Sequence, residues 1–116
     1  MKSNIVVILI FLHVEGICQI PFKEYFDVMN LPSDTTNCFY YKQGVANHHG
    51  FYQDTVRSFY CKGNSLRSVE VYDDKGNLNG VVTHYYPAGQ LQEKARYRDG
   101  IKFGNATSFY KTGKLK

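Results

Sequence analysis

Apolar and polar side chains alternate along short segments of this chain, which is the pattern of β-strands. Between Leu91 and Arg98, the residues Leu91, Ala95 and Tyr97 are apolar, and the residues at even positions are polar. A period of two places the apolar residues on one face of a strand and leaves the other face wet. Segments of this kind predict strands over residues 38–46, 53–61, 66–72, 80–86, 91–98 and 104–110. No segment after residue 30 has helical periodicity.

Tyrosine and glycine recur at fixed spacing in the second half of the chain. Counted from Tyr86, Gly89 lies at +3 and Leu91 at +5, and the pattern restarts at Tyr110, 24 residues on. The preceding copy starts at Tyr60 and has two one-residue insertions, and a degenerate copy is visible at residues 41–44. Glycine adopts positive φ without steric cost, so recurring glycines indicate turns. The predicted turn glycines are Gly63, Gly76, Gly80, Gly89, Gly100, Gly104 and Gly113.

The repeat predicts a unit of strand, turn, strand and turn. A lone hairpin cannot bury its apolar face, whereas stacked hairpins cover each other. We therefore expect an all-β fold, an open meandering antiparallel sheet of β-hairpin repeats over residues 38–116, with the clear repeats in 60–116. Residues 19–37 are expected to form a linker, with a short helical turn at Lys23–Met29.

The first eighteen residues have the pattern of a secretory signal peptide. Lys2 precedes an apolar run from Ile5 to Val14, which is too short to cross a hydrocarbon core of about 30 Å as a helix. Gly16 and Cys18 are small residues at the −3 and −1 positions for cleavage after Cys18. The sequence therefore predicts a secreted or periplasmic protein without a transmembrane span. A buried N-terminal strand and a lipoprotein anchored through Cys18 are the alternatives.

After such a cleavage, Cys38 and Cys61 remain as a pair that can bridge in an oxidising compartment. The sequence Cys38-Phe39-Tyr40 mirrors Phe59-Tyr60-Cys61, and folding the chain about His49-Gly50 sets the two cysteines face to face. Directly opposed residues in an antiparallel pair are close enough for a disulfide. Two free buried thiols are the alternative.

The net charge of +4 is concentrated in the last quarter of the chain. Residues 91–116 contain seven Lys or Arg and two Asp or Glu, whereas residues 19–90 contain six and seven. A solvated sheet face explains this pattern, and so does a docking surface for an acidic protein. Nucleic acid would require a recognisable module or a denser basic stripe. We expect no nucleic-acid partner.

The residues give no sign of a catalytic or cofactor site. His48-His49 would need a third ligand to hold zinc, and Asp73-Asp74 would need more oxygen ligands to hold calcium. Neither a nucleophile elbow nor a phosphate-binding loop is present. We expect a protein that is not an enzyme and that has no metal and no cofactor.

Exposed tyrosines and the neighbouring arginines are the best candidates for contact with a partner. Tyrosine buries a large area at low entropic cost, which makes it common at protein interfaces. The open edge expected after the last strand could also support self-association. The candidate partner-binding residues are Tyr85, Tyr86, Arg96, Tyr97, Arg98 and Tyr110.

The repeat resembles the MORN-variant repeat of YwqK-family antitoxin-like proteins of bacteria. The resemblance lies in Tyr86-Pro-Ala-Gly89-Gln-Leu91, Tyr97-Arg-Asp-Gly100 and Gly104, and it covers residues 60–116. It implies a sheet of stacked hairpins that works by protein–protein contact, and its name implies neutralisation of a toxin. Because the signal peptide places the chain outside the cytoplasm, an immunity-like or envelope-surface role fits better. The alternative function is a structural envelope or cell-surface repeat without a discrete partner.

Overall fold

A computed structural model describes residues 19–116, and the predicted signal peptide lies outside this range. The described chain forms seven β-strands and no helix. The strands are β1 (Gln19–Phe26), β2 (Tyr40–Asn47), β3 (Tyr52–Tyr60), β4 (Leu66–Tyr72), β5 (Gly80–Tyr85), β6 (Leu91–Arg98) and β7 (Ile101–Ser108).

The strands form one sheet in the order β1 to β7, and every neighbouring pair is antiparallel. The predicted all-β, open meandering sheet of hairpins is therefore confirmed. The last strand starts earlier than expected, at Ile101, because Asp99 and Gly100 both have positive φ and form a tight two-residue turn.

The prediction of a linker or helical turn after residue 18 is wrong for Gln19–Phe26, which is strand β1 paired with β2. The polar pair Lys23-Glu24 and the proline at position 21 hide its alternation, although Phe22 and Phe26 are both buried. Pro21 is tolerated because β1 lies at the edge of the sheet, where a missing N–H costs no ladder hydrogen bond.

One hairpin turn recurs along the whole described chain. In each copy the first residue donates its N–H to the carbonyl of the fifth, and the fourth donates to the carbonyl of the first. The copies begin at Asp27, Asn47, Asp73, Tyr86 and Tyr110. The turn thus also occurs away from the starts of the predicted copies, at Asp27, Asn47 and Asp73, where Asn or Asp replaces Tyr and its side chain caps the turn amides. The copy at Tyr60 differs, because the Tyr60 N–H bonds to the Ser65 carbonyl.

All seven predicted turn glycines have positive φ. Two of them nevertheless lie in strands, because Gly80 begins β5 and Gly104 lies within β7, where the β6–β7 register shifts. Gly44 is not a turn residue either. It lies in β2, and a Cβ there would be 3.1 Å from the Thr55 carbonyl oxygen, so glycine lets β2 and β3 approach closely.

The sheet has two chemically different faces. We call the front face the side that carries a row of directly paired residues from all seven strands: Glu24, Lys42, Ser58, Ser68, His84, Glu93 and Ser108. The next row along, on the back face, is Lys23, Gln43, Arg57, Val69, Thr83, Lys94 and Thr107. Apart from Asn47, every buried residue lies on the front face, so this face contains the core.

β-Bulges change two details of the expected register. A bulge in β6 pairs Glu93 with His84 but Leu91 with Tyr85, so Leu91 lies on the back face and not beside Ala95. In the β2–β3 hairpin, Tyr40 pairs with Tyr60 and not with Phe59. Two extra residues in β3 opposite the Gln43–Val45 step shift the pairing predicted from the mirrored cysteine segments.

Tyrosine hydroxyls join successive hairpins. Tyr60 donates its hydroxyl proton to the Tyr85 carbonyl at 2.7 Å, and Tyr86 donates to the Phe109 carbonyl at 2.7 Å. In each case the acceptor belongs to the residue before the tyrosine that starts the next copy. The recurring tyrosine therefore links one hairpin to the next by a hydrogen bond, in addition to packing its ring.

We predict that Tyr60→Phe and Tyr86→Phe each lower the free energy of unfolding by about 1 kcal/mol, because each leaves a carbonyl without its donor. The matched control is Tyr110→Phe, since the Tyr110 hydroxyl makes no hydrogen bond within residues 19–116 and its side chain is exposed. Urea unfolding measures all three. Equal losses in the control and in the other variants would contradict the proposed link between hairpins.

A disulfide joins Cys38 and Cys61 in the structure, with Cα atoms 6.0 Å apart. The bridge spans the open end of the β2–β3 hairpin, beside the hydrogen bond from the Cys61 N–H to the Phe39 carbonyl. It therefore closes a loop that contains both strands and their turn.

We predict that non-reducing peptide mapping of the protein from an oxidising host detects a Cys38–Cys61 linked peptide. The Cys38→Ser, Cys61→Ser double variant should be less stable by about 3 kcal/mol, because the unfolded chain regains the entropy of an open loop. A mapping in which both cysteines are alkylated without prior reduction would rule the bridge out.

Candidate functional site

The front-face row is a polar band that crosses the face containing the apolar core. Each strand supplies its member through the antiparallel register, so that carboxylate, amine, hydroxyl and imidazole groups lie side by side. Four members carry a formal charge or titrate near neutral pH: Glu24, Lys42, His84 and Glu93. Polar groups at this depth require partners, and most of them have one.

The N-terminal part of the band is a compact charged cluster. The Tyr52 hydroxyl donates to Glu24 Oε1 at 2.6 Å, and Lys42 Nζ lies 3.1 Å from Glu70 Oε1. Lys42 also lies over the Tyr52 ring, 5.2 Å from its centroid. Desolvation raises the pKa of Glu24, and the hydrogen bond from Tyr52 and the charge of Lys42 oppose that rise. Burial, together with the carboxylates, raises the pKa of the Tyr52 and Tyr72 hydroxyls.

In the middle of the band, hydroxyl and guanidinium groups form hydrogen bonds and a stacking contact. The side chains of Ser58 and Ser68 are hydrogen-bonded, and Arg67 lies 3.5 Å from the Ser58 hydroxyl. The Arg67 guanidinium stacks on the Tyr40 ring at 3.7 Å from the centroid. Arg67 reaches this face because a bulge at its position turns its side chain towards Ser58.

The C-terminal part contains Ser68, His84 and Glu93 on three adjacent strands, a combination that also occurs in hydrolases. No hydrogen bond joins Ser68 to His84, or His84 to Glu93, in the described range 19–116. Ser68 is buried, and its hydroxyl is already hydrogen-bonded to Ser58. Desolvation lowers the pKa of His84, and the Glu70 charge partly offsets this effect. The three side chains therefore do not form the hydrogen-bonded relay of a Ser-His-acid triad in this structure.

We predict that His84 makes the protein less stable in mild acid. Its folded pKa lies below the ordinary value of 6.5, so the unfolded chain binds the proton more readily. The contribution is absent at high pH and destabilises the fold as pH falls through about 6.5. Urea unfolding at pH 7.5 and pH 5.5 measures the effect.

His84→Gln should lose less stability between these two pH values than the parent protein does. His49→Gln, at an exposed turn position, should lose as much as the parent. If His84→Gln shows the same acid loss as the parent, His84 is not the group responsible.

The back face carries a row of cations on its strands: Lys23, Arg57, Lys94, Arg96 and Arg98. Carboxylates reach this face near the N-terminal strands, because Gln19 donates to Asp54 Oδ2 at 3.0 Å and Gln53 donates to Asp74 Oδ1 at 3.3 Å. The back-face residues of β5, β6 and β7 include no Asp or Glu. This local excess of positive charge arises from strand parity and was not predicted from the sequence.

Three of these cations form an exposed cluster with apolar neighbours, which we call the β6 cationic patch: Lys94, Arg96 and Arg98 with Val81, Ile101 and Phe103. Arg96 pairs with both Val81 and Phe103 across the sheet, and Arg98 pairs with Ile101. The Arg98 guanidinium lies 4.6 Å from the Phe103 ring centroid. Ile101 is 71% exposed and Phe103 38% exposed, so the patch offers both charge and apolar surface.

The structure does not bring the six candidate partner-binding residues together. Arg96 and Arg98 lie on the back face, whereas Tyr97 lies on the front face between Gly80 and Lys102. Tyr86 is engaged through its hydroxyl, and Tyr85 lies on the back face opposite Leu91. The sixth, Tyr110, is exposed in a turn. Of the predicted set, only Arg96 and Arg98 belong to the β6 cationic patch, whereas Tyr85 shares their face but lies opposite Leu91.

Sequence reasoning also missed Lys94, Val81 and Phe103, although the alternation of β6 already placed Lys94 on the same side as Arg96 and Arg98. The cross-strand neighbours could not be identified without the register of β5 and β7. The His48 and His49 rings do converge in their turn, with centroids 3.9 Å apart. Within residues 19–116, however, no three His, Cys, Asp or Glu side chains are grouped to hold a metal ion.

Comparisons with known proteins find no match to a family model, a curated protein or a solved structure. The resemblance to MORN-variant repeats therefore rests on the Tyr and Gly spacing and stays a prediction. Among the described residues, no helix has the length and apolar character needed to cross a membrane.

Proposed function

We propose that this chain is an exported protein-binding module that contacts an acidic partner through the β6 cationic patch. The observation that carries the proposal is the exposed row Lys94, Arg96 and Arg98 on the part of the back face formed by β5, β6 and β7, whose back-face residues include no Asp or Glu. Like charges that are kept together without counter-charges are an arrangement that favours an oppositely charged partner.

The apolar members of the patch support protein as the class of partner. Val81, Ile101 and Phe103 are exposed beside the cations, and arginine next to aromatic surface is typical of protein interfaces. The hairpin scaffold places these side chains on paired strands, so the backbone of the patch is already ordered before a partner binds.

Neutralisation of a partner by binding, as in an antitoxin or an immunity protein, is the form of this function that the MORN-variant resemblance implies. The signal-peptide pattern supports action outside the cytoplasm, where such a partner would also be exported. Both statements rest on sequence patterns.

We predict that the triple variant Lys94→Gln, Arg96→Gln, Arg98→Gln binds a fluorescent peptide of alternating Glu and Leu about tenfold more weakly than the parent. Three exposed ion pairs at about 0.5 kcal/mol each give this factor. Fluorescence anisotropy measures the affinity, which should also fall as salt is added.

The matched control neutralises three turn lysines, Lys62→Gln, Lys75→Gln and Lys111→Gln, which changes the net charge equally. It should bind nearly as well as the parent. If both triple variants lose the same affinity, the peptide responds to net charge alone and the patch is not a site.

A structural repeat without a discrete partner is the second candidate. It is favoured because the Tyr60 and Tyr86 hydroxyls are hydrogen-bonded within the chain, where they join successive hairpins. That function predicts a monomer on size exclusion that captures nothing from a periplasmic extract, with or without the patch mutations.

A further inference from the structure

A shallow cleft lies beside the edge strand β1, where the loop that follows β1 folds back along it. Ser33 donates its N–H to the Tyr25 carbonyl at 2.9 Å, which fixes the loop against the strand. The cleft has a volume of about 580 Å³. Its charged lining consists of Glu24, Asp27 and Asp34, with no Lys, Arg or His. This site is separate from the β6 cationic patch and has the opposite charge.

Glu24 is the buried end of this cleft. It is 1% exposed, and its Oε1 accepts the Tyr52 hydroxyl proton at 2.6 Å. Its other oxygen, Oε2, is buried and has no hydrogen-bond partner in the described chain. A buried carboxylate oxygen without a donor costs free energy, which a bound donor would recover.

The nearest cation does not satisfy Glu24. Lys42 is its direct cross-strand neighbour, but Lys42 Nζ lies 3.1 Å from the Glu70 carboxylate on the other side. Burial raises the pKa of Glu24, and a positive group placed in the cleft would bring it back down. Lys42 therefore acts on Glu24 through its charge but donates no hydrogen bond to Oε2, and no cation lines the cleft itself.

The other two carboxylates are held in place by their own loop. Oδ1 of Asp27 and Oδ1 of Asp34 each accept two backbone N–H groups. No hydrogen bond to either Oδ2 occurs within residues 19–116. Each aspartate thus keeps one oxygen for a ligand while its orientation is already fixed, which lowers the entropic cost of binding.

We propose that this cleft binds an organic cation, an alkylammonium or guanidinium group, with Glu24 Oε2 as the deep acceptor and Asp27 and Asp34 as the outer acceptors. The three carboxylates do not form a group that could hold a single metal ion. A cation with several N–H donors on an extended frame can contact carboxylates that lie further apart. The cation can belong to a free polyamine or to a lysine or arginine side chain of a peptide.

The test is an NMR titration of the ¹⁵N-labelled protein with four probes: spermidine, Nα-acetyl-lysine amide, calcium chloride and glycerol. We expect saturable shifts of the Tyr25, Ser33 and Asn37 amides with the two organic cations and none with glycerol. Stronger binding of spermidine would identify a free polyamine as the source, and stronger binding of the lysine derivative would identify a peptide side chain. Saturable shifts with calcium alone, or shifts confined to other strands, would overturn the proposal.

Glu24→Gln provides the matching variant, because its amide oxygen can still accept from Tyr52 while the charge is lost. We expect at least tenfold weaker binding of the organic cations. Glu93→Gln removes the same charge at the far end of the front-face row and should bind as the parent does. Equal affinity in Glu24→Gln would overturn the proposal. If Glu24→Gln does not fold, the shift map of the parent protein decides alone.

Discussion

The interaction on which this architecture depends is a hydrogen bond from a tyrosine hydroxyl of one hairpin to a backbone carbonyl of the next. The sheet is a single layer, so no second sheet or helix in the described chain covers its core. Tyr60 and Tyr86 meet this constraint by lying on the front face and bonding to the carbonyl that precedes the next copy. Phenylalanine would fill the same space, but it would leave that carbonyl without a donor.

The sequence predicted the fold where local chemistry determines it. The Tyr-x-x-Gly spacing identified the turns at Tyr86 and Tyr110, and the alternation in β6 identified its two faces. The sequence did not predict that turns beginning with a different residue type form the same hydrogen bonds. The turns at Asn47 and Asp73 use a side-chain oxygen to cap their amides, so they follow the same hydrogen-bond pattern with a different first residue.

The candidate site was less predictable because it depends on register. Arg96 and Arg98 were found from exposure and charge, whereas their neighbours Val81 and Phe103 come from other strands. A bulge moves a residue to the opposite face without any mark in the local pattern, as Leu91 shows. The absence of a hydrogen-bond partner for Glu24 Oε2 could not be predicted either, because it depends on the ion pair that Lys42 forms with Glu70.

The join between β4 and β5 divides the sheet into unequal halves. Only two register pairs connect these strands, Ser68 with His84 and Val69 with Thr83, whereas the flanking pairs are longer. The covalent bridge lies wholly on the N-terminal side of this seam. Thermal opening would therefore begin at the seam and release β5 to β7 as one cooperative piece, while the bridged strands stay folded. The β6 cationic patch lies on this piece, so we expect its strands to open more readily than the bridged strands β2 and β3.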